Sequence, residues 1–151
     1  ALYPVLMGSL QKQFKISERF DINLGSQLGF NLSSRIANKK INYFAYTIGI
    51  FHFMQHRGKL VGGLYQTNKM YVGGGNDFGV MAGYEIKLAK RWYLMGDWVS
   101  GNNDASVSVI GGMFNLSKRI QLCAGWQIPN PKTMKPMGVV LEFNLMAWDM
   151  F

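Results

Sequence analysis

His52 and His56 stand four residues apart and are the only two histidines of the chain. Four-residue spacing makes a metal-binding face on a helix, but these two sit where a strand runs into a turn, and further ligands are missing. No Ser–His–acid set can be assembled either, since His52 is followed by Phe53-Met54 and His56 by Arg57-Gly58. The run Gly73-Gly74-Gly75-Asn76-Asp77-Phe78-Gly79 lacks the Lys-Ser/Thr and the helix of a phosphate loop and reads as a flexible loop. Cys123 is the single cysteine, which excludes an intrachain disulfide and a multi-cysteine metal site. The expectation is a protein that is not an enzyme and uses neither cofactor nor metal.

The chemistry-bearing residues that remain are polar ones in alternation. Along 22–32, Asn23, Gly25, Gln27, Gly29 and Asn31 interleave with Ile22, Leu24, Ser26, Leu28, Phe30 and Leu32. Along 120–128, Gln121, Cys123, Gly125 and Gln127 interleave with Ile120, Leu122, Ala124, Trp126 and Ile128. Gln11, Gln13, Lys15, Glu85, Lys87, Asp97, Glu142 and Asn144 fall in the same phase of neighbouring runs. A period of two puts each set on one face of a strand.

Strands therefore have to carry these groups. The expected strands are roughly 6–16, 20–32, 40–54, 60–71, 78–88, 92–99, 105–116, 120–128 and 137–146, with Leu2–Met7 a candidate for part of a tenth. Short polar turns near 17–19, 55–59, 89–91 and 117–119 alternate with longer connections near 33–39, 72–77, 100–104 and 129–136. Ile86-Lys87-Leu88-Ala89-Lys90-Arg91-Trp92 recurs in outline at Phe14–Phe20, Phe30–Ile36 and Phe114–Ile120, ending one strand and starting the next. The expected fold is an all-β, antiparallel, up-and-down β-barrel of about 8–10 strands, a single domain over 1–151. Residues 41–53 are apolar on both faces. Val107 and Val109 are out of phase with Phe114 and Leu116, which predicts a bulge at Gly111-Gly112.

Composition decides which face is wet. Hydrophobic residues make up 48% of the 151 and charged residues only 16%, against about 25% charged in soluble domains. The net charge of +8 is compatible with nucleic-acid binding, but twelve of the sixteen Lys and Arg residues fall in expected turns or loops, Arg57 and Lys59 among them. No face collects them into a stripe, so nucleic acid is not an expected partner. A solvated sheet face carries Lys, Glu and Thr; here the non-apolar face carries Gly and amides, which suit a crowded polar interior. The apolar face is then outermost, and that inversion requires lipid.

Strand length agrees. Phe78 to Leu88 is about 33 Å of strand, and a tilt of about 40° brings this to roughly 25 Å, the height of an outer-membrane apolar band. Phe20, Phe30, Phe78, Trp92, Trp98, Phe114 and Trp126 stand near expected strand ends in the apolar phase, as membrane-interface aromatics do. No run of about 18 apolar residues predicts a transmembrane helix. A chain that begins at Ala1 with no visible signal peptide reads as a mature product or as part of something longer.

Tyr93–Asn103 followed by a strand, Asn115–Ile120 and Gly125-Trp126-Gln127 resemble the closing hairpins of bacterial outer-membrane β-barrel proteins of the porin-like kind, and Phe151 resembles their C-terminal Phe. The resemblance implies a bacterial outer-membrane location, membrane lipid as partner, and passive passage of small polar solutes; the chain could equally be the C-terminal part of a larger barrel. The lumen-lining candidates are Lys15, Asn23, Gln27, Glu85, Lys87, Asp97, Gln121, Gln127, Glu142 and Asn144. The alternatives are a non-conducting barrel subunit that anchors a larger envelope complex, with other envelope proteins meeting loops 100–104 and 129–136, and a soluble ligand-carrying β-barrel.

Overall fold

The computed structural model describes residues 5–32, 41–133 and 136–145. Alternating runs bounded by short turns form nine strands: β1 (Val5–Lys15), β2 (Phe20–Asn31), β3 (Ile41–Phe53), β4 (Gly58–Thr67), β5 (Phe78–Lys87), β6 (Trp92–Val99), β7 (Val107–Asn115), β8 (Ile120–Pro129) and β9 (Gly138–Leu145). All pair antiparallel in chain order, so the sheet is an up-and-down meander, β1-β2-β3-β4-β5-β6-β7-β8-β9. Antiparallel neighbours, joined by four-residue turns at one end and by connections of seven to ten residues at the other, need no crossover, which is why chain order and sheet order coincide. Phe151 and the loop 33–39 lie outside the described residues.

Three sequence expectations change. The run 60–71 is not one strand: β4 stops at Thr67, and Lys69–Val72 form a single helical turn, α1. The Asn68 side chain accepts the Tyr71 amide at 3.1 Å and so caps that turn. The bulge at Gly111-Gly112 is absent, because the register runs unbroken from Trp92↔Phe114 to Val99↔Val107 and from Val107↔Pro129 to Asn115↔Gln121. Val107 and Val109 simply lie on the polar face, as the apolar Ile50, Val61 and Met95 also do. Of the tenth-strand candidate Leu2–Met7, Val5–Met7 belong to β1, opposite Asn31–Gly29, and residues 2–4 lie outside the described residues.

The sheet has no conventional apolar core. Among the described residues only Tyr65, Val72 and Met113 are buried hydrophobics, while 31 large hydrophobic side chains are exposed. Cross-strand pairs share a face, so the register assigns every strand residue to one of two faces. The apolar face carries Leu24, Leu28, Trp92, Trp126, Leu141 and their neighbours. Glycine shows which way the sheet bends. A Cβ on Gly63 or on Gly111, both on the polar face, would collide with the facing strand at the Thr47 and Ala124 carbonyls respectively. Backbones approach that closely only where the sheet coils sharply, and only Gly permits it.

Candidate functional site

Eight residues with formally charged side chains lie within the nine strands: Lys12, Lys15, Asp21, Lys59, Glu85, Lys87, Asp97 and Glu142. The register places all but Lys12 on the polar face. Lys12 sits opposite Leu24 on the apolar face, with its ammonium 5.2 Å from the Phe14 ring centroid. All ten polar candidates, from Lys15 to Asn144, share the polar face, and all seven aromatics, from Phe20 to Trp126, share the apolar one. Along β8 from Gln121 to Pro129 the exposure alternates residue by residue, with Leu122, Ala124, Trp126 and Ile128 the more exposed.

At the tight-turn end the polar face is crossed by ion pairs and hydrogen bonds between neighbouring strands. Lys59 Nζ lies 2.9 Å from Glu85 Oε2. His52 Nε2 lies 3.0 Å from Asp21 Oδ2, and Gln13 Nε2 donates to the same oxygen at 2.9 Å. The His56 ring is tilted against that of His52 at 5.2 Å. The Lys87 ammonium stands 5.7 Å from the Tyr93 ring centroid. In mid-sheet, Asp97, Cys123 and Glu142 border one small concavity of about 90 Å³ with Met95, Val109 and Val140. Asn144 Nδ2 donates to the Cys123 sulfur at 3.8 Å. Among the described residues, no three His, Cys, Asp or Glu side chains converge to hold a metal ion.

At the other end the loops fold in. Tyr71 on α1 donates from its hydroxyl to Gln27 Oε1, and burial pushes the Tyr71 phenol above its ordinary pKa. Phe44 stacks on Tyr65 at 5.3 Å and tilts against Tyr71 at the same distance. The Tyr65 hydroxyl donates to the Ser100 carbonyl at 2.8 Å and accepts from Asn103 Nδ2 at 3.0 Å. Asn103 Oδ1 accepts the Ala105 amide at 2.9 Å, and Asn130 Nδ2 reaches the Val99 carbonyl at 2.8 Å. Asn103 and Ser106 are buried while Asn102 and Asp104 are exposed. Asn103 and Ser106 in the 100–106 connection are thus structural packing rather than free surface. The glycine run is also anchored, through the Asn76 amide on Asn102 Oδ1 at 3.0 Å and the Asp104 amide on the Val72 carbonyl at 2.8 Å.

Sequence reasoning missed Asp21, Lys59 and His52 on this face, and missed Tyr65, Tyr71 and Asn103 altogether. Asp21 and Lys59 were legible in principle as the second residue of their strands, in phase with Asn23 and Glu85. The aromatic–amide network had no local signal, because its partners are 38 and 44 residues apart. Compared with protein-family models the chain matches none, and compared with curated proteins it matches none either.

Proposed function

We propose that the chain forms the wall of a transmembrane β-barrel of the bacterial outer membrane, with the polar face turned to a lumen that passes small polar solutes. The observation that carries this reading is the charge partition: seven of the eight charged strand residues on one face, and on the other a nearly uncharged apolar face left exposed. Large apolar surfaces of this extent do not stay in water, and a strand wall in lipid keeps its charges on the lumen side.

Strand count bears on how the wall closes. β1 pairs with β2 and β9 with β8, leaving one edge of each without a partner strand among the described residues. With nine antiparallel strands, β1 and β9 point the same way. All-antiparallel closure then needs an odd number of further strands, and an open edge in lipid is costly because its amides and carbonyls have no water to bond. This supports a larger barrel.

A non-conducting scaffold is favoured by one specific feature: polar groups engage one another along the wall, Lys59 with Glu85 in an ion pair and Asp21 with His52 through a hydrogen bond, while α1 lies over the polar face at the loop end. Reconstitution separates the readings. Brominated acyl chains should quench Trp92, Trp98 and Trp126, which all stand on the apolar face; unquenched emission removes the membrane reading. Stepwise conductance in a planar bilayer supports passage. Quenched but electrically silent protein leaves the scaffold.

A further inference from the structure

The four tight turns, 16–19, 54–57, 88–91 and 116–119, share one feature that the polar face does not explain. Each ends in arginine immediately before an even-numbered strand: Arg19, Arg57, Arg91 and Arg119. The first three are held in the same way. The Arg19 carbonyl accepts the His52 amide, the Arg57 carbonyl the Lys87 amide and the Arg91 carbonyl the Asn115 amide, at 2.8, 2.7 and 2.9 Å. Each arginine therefore extends its strand by one residue and stands opposite a residue of the polar face. One arginine for every second strand, with strands about 4.8 Å apart, spaces them about 10 Å along the rim.

Charge balance at this rim is one-sided. Lys90 and Lys118 lie in the same turns, and Lys15, Lys59 and Lys87 stand within two residues of them on the polar face, so among the described residues nine cationic side chains accompany three carboxylates, Glu18, Asp21 and Glu85. Two of the three carboxylates are engaged, Asp21 by His52 and Gln13, Glu85 by Lys59. Arg57 stands directly opposite Lys87, an arrangement that costs stability between strands. The two cations turn apart: the Arg57 guanidinium reaches the Lys87 carbonyl at 3.4 Å, and the Lys87 ammonium lies toward the Tyr93 ring.

We infer that this rim is an anion-collecting mouth, and that the solutes presented to the polar face are small oxyanions bearing phosphate or carboxylate groups. The inference rests on the reading of that face as a lumen and names its substrate class. An anion between Arg57 and Lys87 converts their repulsion into two charge-assisted contacts. A row of like charges beside a low-dielectric wall raises the local concentration of counter-ions.

The test uses the full chain folded in detergent and titrated calorimetrically with sodium tripolyphosphate at low ionic strength. Expected are saturable binding that weakens as salt rises, at least a tenfold loss of affinity in the combined Arg19→Gln, Arg57→Gln, Lys87→Gln, Arg91→Gln variant, and no change in Lys12→Gln on the apolar face. Absence of binding to the wild type, or equal binding by the combined variant, overturns the inference. Retention of phosphatidylglycerol in preference to phosphatidylcholine by a wild type that binds no tripolyphosphate assigns the rim to lipid headgroups and also overturns it. The bilayer arm keeps the two readings apart. Tripolyphosphate binding by an electrically silent protein upholds the anion rim and removes passage; conductance without anion preference upholds passage and removes the rim.

Discussion

Lys59 and Glu85 face each other directly across β4 and β5, with Nζ 2.9 Å from Oε2, on a wall where the Asp21 carboxylate also meets the His52 ring. Both members are partly exposed, so the pair is screened and its net worth is modest. Replacing either one by Gln leaves the other charge unpaired. A double-mutant cycle on Lys59→Gln and Glu85→Gln should give a coupling of about 0.5–1 kcal/mol by urea denaturation in lipid vesicles. A coupling near zero would show that water alone solvates both charges. In a conducting protein, Glu85→Gln also leaves Lys59 uncompensated and should move selectivity toward anions, read as a shifted reversal potential in a salt gradient.

Asn103 joins three segments at the loop end: it donates to the Tyr65 hydroxyl, accepts from the Ala105 amide, and reaches the Asn76 carbonyl. Because the side chain is buried, Asn103→Ala strands several polar partners at once, at a cost of about 2–3 kcal/mol. The 68–77 connection should loosen with it. Faster tryptic cleavage after Lys69 in the variant, with unchanged cleavage after Arg57, is the expected pattern; equal rates at both sites would mean the loops are held by other contacts.

Strand positions were legible because each depends on local alternation. Eight of the nine expected runs match the observed strands to within about two residues at each end, and the face partition followed from period two alone. The exceptions have physical causes. α1 is one helical turn, too short to show a 3.6-residue period, and only Asn68, as a cap, hints at it. Lys59 was assigned to a turn because β4 opens on Gly58, which has no side chain to mark the alternation. Val109 is out of phase with Phe114 because apolar residues occur on both faces of β7; it lies opposite Asp97 and Gln127 on the polar one. The Tyr65–Asn103 contact depends on how far the sheet coils, which no sequence spacing reports.

Tyr71 gives a pH-dependent signature. Burial raises its phenol above the ordinary value of 10.0, so the folded state holds this proton where the unfolded chain has released it. The stability it contributes is fully present below about pH 10, and declines as pH rises through the raised folded value. Tyrosinate absorbance should therefore show one late-titrating phenol that disappears in Tyr71→Phe, and the variant should lose less stability than the wild type on going to alkaline pH. A wild-type-minus-Tyr71→Phe difference titration centred near the ordinary value of 10.0 would place the hydroxyl in water.

Gly62 and Gly63 are adjacent in β4 and have opposite demands. Gly62 lies on the apolar face opposite Gly49, and a Cβ there meets nothing within 4 Å. Gly63 lies on the polar face opposite Ile48, where a Cβ would strike the Thr47 carbonyl and the Ile48 backbone. Backbone atoms cannot swing aside as a flexible side chain can, so β3 and β4 must part or flatten. Gly62→Ala should fold as the wild type does, or gain a few tenths of a kcal/mol from reduced freedom of the unfolded chain. Gly63→Ala should lose about 1–3 kcal/mol, the usual range for overpacking, and Gly63→Val more. Urea unfolding in vesicles followed by tryptophan fluorescence compares the two alanine variants under identical conditions. The contrast tests the coil of the sheet itself, because a flat sheet would tolerate alanine equally at both positions.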